Sequence, residues 1–136
     1  MNKNLTCITV LIMLFLSAPS KSAPLNFKTV SKCFFIYAPI TEAGRDMNIP
    51  SIFTYGQKRM AWFMGFMKAN EKNEKFTYTF EVNLNKNKEF AIALEEQFRS
   101  SIKNQQLESF DEIISFANGC DRFLGIKTKD SPSLPL

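Results

Sequence analysis

Residues 76–85 read FTYTFEVNLN, and the reading of that stretch decides the fold class. Phe76, Tyr78, Phe80, Val82 and Leu84 alternate with Thr77, Thr79, Glu81 and Asn83, the period of a half-buried strand in residues that favour sheets. Phe76, Phe80 and Leu84 also stand four apart, as on one face of a helix. A strand needs a neighbour to pair its backbone N–H and C=O groups, and no other segment of this chain alternates convincingly. The surroundings therefore favour a helix and an all-α fold. An α+β fold with a strand at 76–84 is the alternative.

Downstream, Phe90, Ala91, Leu94, Phe98 and Ile102 form an apolar stripe beside Glu95, Glu96, Arg99 and Lys103. Residues 76–104 thus read as one helix, or as two meeting near 84–87. Upstream, NEKNEK at 70–75 is a polar junction. Before it, Phe53, Met60, Phe63, Met64 and Met67 repeat at helical spacing over 51–69, with Gln57, Lys58 and Arg59 as a polar flank. Within that helix MAWFMGFM, residues 60–67, is apolar on all sides, which requires burial all round or a cover from elsewhere. Gly56 and Gly65 each cost about 1 kcal/mol in a helix and are tolerated where another element approaches closely.

Val30, Cys33, Phe34, Tyr37 and Ile40 share a face of a further helix over 30–43, which Pro39 should bend or restart. Gly44 is its expected stop. Asn48 is the expected cap of the next helix, and Pro50 suits a first turn. At the other end of the chain, Ser109 and Glu112 fit a capping box ahead of Phe110, Ile113, Ile114 and Ala117. That helix either ends at Asn118-Gly119 or carries on through Phe123 and Leu124. The expectation is a single domain, 23–126, of four or five antiparallel helices, with 127–136 a flexible tail.

Residues 1–22 have the three parts of a secretory leader: Lys3, an apolar run from Leu5 to Leu16, and small residues around Ser20 and Ser22. The apolar run is too short to span a bilayer. Cleavage after Ser22 predicts a mature chain starting at Ala23, periplasmic or secreted, without stable membrane insertion. Processing removes Lys3, Lys21 and no acid, so the net charge of +4 falls to +2. That is too little for a nucleic-acid partner; Lys86 with Lys88, and Lys127 with Lys129, read as solvated faces. In an oxidising compartment the two remaining cysteines, Cys33 and Cys120, should pair, closing a loop whose constraint stabilises by about 4–5 kcal/mol.

The chain has no histidine, which excludes Ser-His-Asp and Cys-His catalysis and histidine-ligated metals. Met60, Met64 and Met67 could offer thioethers to copper, yet the same spacing is that of a packing stripe; no cofactor and no metal are expected. Glu42, Asp46, Asp111, Glu112 and Asp121 are the carboxylates on which a hydrolase would depend. Glu42 and Asp46 border a glycine turn, Asp111 and Glu112 belong to a helix start and Asp121 follows a structural cysteine, so no enzyme is expected.

The stronger signal is the number of rings: 14 Phe, 3 Tyr and 1 Trp. Aromatics at 34, 35, 62, 63 and 66 cover more than one side of their helices, so some should form a groove or a partner surface. Phe34, Trp62, Phe63 and Phe66 are the candidate lining. The function this suggests is binding of a protein partner through an apolar helix surface, as an inhibitor, immunity, adaptor or effector protein does. A carrier enclosing a lipid-like or aromatic ligand is the second possibility. A closed cavity would favour the carrier and an open patch the partner.

Overall fold

The computed structural model describes residues 26–127 and 130–136; the leader expected at 1–22 and the mature start at Ala23 lie outside the described residues. Four helices follow one another, α1 (Phe27–Asp46), α2 (Pro50–Ala69), α3 (Glu74–Lys103) and α4 (Leu107–Leu124), with no strand among the described residues. The fold is a small all-α bundle closed by a Cys33–Cys120 disulfide whose Cα atoms lie 5.6 Å apart.

The stretch 76–85 lies in the opening turns of α3, begun by a cap just before it, and its polar residues bond within the helix. Asn73 caps the helix, its side chain accepting from the Phe76 N–H at 3.2 Å. Thr77 donates back to the Asn73 carbonyl, and Asn83 to the Thr79 carbonyl at 2.7 Å. Of the period-four residues Leu84 stays 43% exposed, whereas Phe76 is buried and Phe80 half-buried, their rings 6.0 Å apart. Tyr78, which a strand would place beside them, is 70% exposed. α3 runs on without a break at 84–87.

Phe27 of α1 meets Phe76 of α3, and at the other end Asp46 meets Arg99, so these two helices run the same way. α2 and α4 run against them. α1 is central, coming close to all three others, whereas α2 makes its close backbone approach only to α1 among the described residues. Burial of α1 on most of its circumference carries Pro39 inside a continuous helix, where a bend or restart was expected. The packing around it outweighs the one missing N–H donor.

Gly44 does not stop α1. A Cβ there would lie 2.8 Å from the Phe53 Cα, and one on Gly56 would lie 2.8 Å from the Thr41 Cα. These two glycines set the closeness of α1 and α2, whereas nothing lies within 4 Å of the Cβ position of Gly65. The chain turns instead at Asn48, in the left-handed region at φ 54°, and Ile49 rather than Asn48 precedes the first turn of α2. Nor does Ser109 cap α4. The helix begins one turn earlier, after Gln106, and Ser109 accepts from Gln97 of α3 at 3.2 Å. α4 passes through Asn118 and Gly119 and ends at left-handed Gly125, with the Ile126 N–H on the Asp121 carbonyl at 2.8 Å.

Candidate binding surface

Because α2 approaches only α1 closely, it is separated from both α3 and α4 by a seam that side chains must fill. The seam toward α4 is polar at its centre. Arg59, read from the sequence as part of a polar flank, is 1% exposed and grips Asp121 through Nε at 3.0 Å and Nη2 at 2.6 Å. Tyr37 donates to the same carboxylate at 2.7 Å, and Arg59 Nη1 donates to the Tyr55 carbonyl at 2.8 Å. The guanidinium also lies over the Tyr55 ring, 3.4 Å from its centroid. Burial and the bond to Asp121 push the Tyr37 hydroxyl well above the ordinary tyrosine range, and burial does the same to Tyr55.

The chain's own C-terminal segment lies along this seam. Asp130 pairs with Lys58 at 2.6 Å and approaches Arg59 at 3.8 Å. Ser131 bonds Asn118 at 3.2 Å, Gln105 donates to the Pro135 carbonyl at 2.9 Å, and Ile126 and Leu134 pack against the core. Residues 130–136 therefore run back along α4 from its middle to its start, without regular secondary structure.

The seam toward α3 is filled with rings. Phe34 lies 4.8 Å from Phe63 and 5.6 Å from Phe80, and Phe66 lies 5.4 Å from Phe76. Trp62 stacks on Phe66 at 5.4 Å. The four aromatics singled out in the sequence thus belong to one cluster. Phe63, however, is wholly buried at its base and serves the core, while Phe34, Trp62 and Phe66 are half-buried.

Two open apolar grooves lie on this side. One of about 430 Å³ runs between α1 and α3, with Phe34, Phe35, Pro39, Leu84 and Ile92 among its walls. The other, of about 540 Å³, runs between α2 and α3 beside Met64, Met67, Phe76, Phe80 and Leu84. They share Leu84, so the apolar surface is continuous from α2 to α1. Along it α1 leaves Phe34, Ala38 and Glu42, spaced four apart, partly exposed. Met64 is 62% and Leu84 43% exposed, and of the eight residues of MAWFMGFM only Phe63 is fully buried.

Leu84, Met64 and Met67 were missed as lining. The signal for Leu84 is its place four after Phe80; Met64 and Met67 belong to a stripe that reads as packing or as an apolar surface. Among the carboxylates, Glu42 and Asp46 pair with Arg45, and Asp46 shares Arg99 with Glu95, at the end of the first groove. The hydrogen bonds from Arg99 and Arg45 hold the Asp46 carboxyl below its usual range. Asp111 and Glu112 are exposed on α4, and Asp121 is the buried partner of Arg59. Among the described residues no group of three or more Cys, Asp or Glu is placed to hold a metal ion, and no helix is long and apolar enough to cross a membrane. No protein-family model, curated protein or solved structure matches the chain.

Proposed function

We propose that this chain is an exported, non-enzymatic binding protein that takes a helix of another protein along the α2–α3 side of the bundle. One observation carries the reading: the apolar run MAWFMGFM in α2 has a single fully buried residue, and the surface it opens continues through Leu84 into the groove over α1. Exposed apolar surface of that extent costs solubility unless something covers it. A shallow apolar groove between helices suits the flank of an amphipathic helix, whose side chains three and four apart become the anchors. Both hollows are open along their length, which favours a protein partner over an enclosed small molecule. Export rests on the leader pattern of residues 1–22 and agrees with the Cys33–Cys120 bond, since such bonds persist in oxidising compartments.

The test is native mass spectrometry of the protein taken from its own host without denaturation. The expected species is a complex with a second protein, which a Met64→Asp/Leu84→Asp variant fails to form although it folds. A chain carrying only an adduct of a few hundred daltons would replace the proposal with the carrier; a bare chain in both cases would remove it.

A further inference from the structure

Resting on that reading, we infer that the helix received by the α2–α3 side is cationic, with lysine or arginine flanking its apolar stripe. The two grooves are lined by four carboxylates, Glu42, Glu71, Glu81 and Glu95, against two ammonium groups, Lys68 and Lys88. This acidic excess belongs to a chain that is net positive, +4 in full and +2 without residues 1–22, so it is a local feature, opposite in sign to the whole. It is also unevenly compensated. Glu42 and Glu95 answer Arg45 and Arg99, whereas Glu71 and Glu81, at the methionine-lined end, carry no ion pair among the described residues.

The apolar part of the surface points the same way. Met64 and Met67 present flexible, polarisable side chains that adapt to a helix of varied anchors, beside the packed rings of the Phe34–Phe80 cluster. Carboxylates flanking such a groove select register and partner sign, because a like charge brought against them is disfavoured. The positive charge of the whole chain works against unspecific attraction of cations, so a preference for a cationic helix has to come from the groove itself.

Two synthetic helices test this, identical in their leucine positions, one with lysine and one with glutamate at every polar position. Each carries a fluorophore at its N-terminus, so fluorescence anisotropy reports binding. The full exported chain with its disulfide intact should bind the lysine helix more tightly, by about fivefold or more, with the difference shrinking as salt is raised. Glu71→Gln/Glu81→Gln, at two exposed positions, should erase most of that preference and leave thermal unfolding unchanged. Equal binding of both helices, or tighter binding of the glutamate helix, overturns the inference while the groove remains a helix site. Binding of neither overturns the groove reading and the inference together.

Discussion

The two seams beside α2 are built alike in backbone and finished differently. Toward α4, the gap is bridged by Arg59 and Asp121, tied to α1 by Tyr37 and by the neighbouring disulfide at Cys120, and overlaid by residues 130–136. Toward α3, the gap is floored by rings and then left open, with Met64 and Leu84 facing water. The chain covers the polar seam with its own C-terminal segment and leaves the apolar one uncovered. Stability is therefore expected to concentrate in the α2–α4 seam and recognition in the α2–α3 seam.

The largest expected effect is at Arg59. Arg59→Met strands a buried carboxylate and should cost about 3–5 kcal/mol in denaturant unfolding. Adding Asp121→Leu together with Tyr37→Phe should recover most of the loss, because neither a buried charge nor the Tyr37 hydroxyl is then left without its partner. A triple variant as unstable as the single one would show that the ion pair is not what bridges α2 and α4.

The glycines come next. Gly56→Ala pushes a methyl into Thr41 and should cost about 1–3 kcal/mol. Gly65→Ala, with nothing near its Cβ position, should stabilise by about 1 kcal/mol, the intrinsic helix gain. Equal effects would mean that α1 and α2 are not held at the distance described.

Alkali should also act on the α2–α4 seam. Tyr37 and Tyr55 are raised in the folded state, so stability is fully present below about pH 10, where both folded and unfolded tyrosines are protonated. It should fall as pH rises above that value, because the unfolded chain then loses protons that the folded chain keeps. Unfolding midpoints that stay flat from pH 9 to pH 11 would contradict this. The smallest effect belongs to the open seam: Leu84→Gln should change stability by no more than about 0.5 kcal/mol while weakening partner binding. A large loss of stability would make Leu84 a core residue instead.

Much of the helical outline was legible because it depends on spacing alone, as with Phe90–Leu94–Phe98–Ile102. The Cys33–Cys120 bond was legible because only two cysteines follow residue 22. What the pattern concealed was tertiary. Arg59 read as a flank because a charged residue is seldom buried, and its partner Asp121 lies 62 positions away. Gly44 read as a stop because the close approach of Phe53 leaves no local trace. The central place of α1 did leave one: between Lys32 and Arg45 the chain carries a single charge, Glu42. Of the candidate site, the aromatic cluster was legible from ring number and the groove was not. The groove arises from α3 lying along α1 in the same direction, which brings Leu84 beside Phe34.

Site-specific photo-crosslinking in the native host compares the two seams in one experiment. A benzophenone side chain is placed in turn at Met64, at Leu84, and at exposed Phe116 on α4. Crosslinks from Met64 and Leu84 to the same discrete protein, with none from Phe116, are the expected result. Crosslinks from Phe116 alone, or equally from all three positions, would contradict the assignment of recognition to the α2–α3 side.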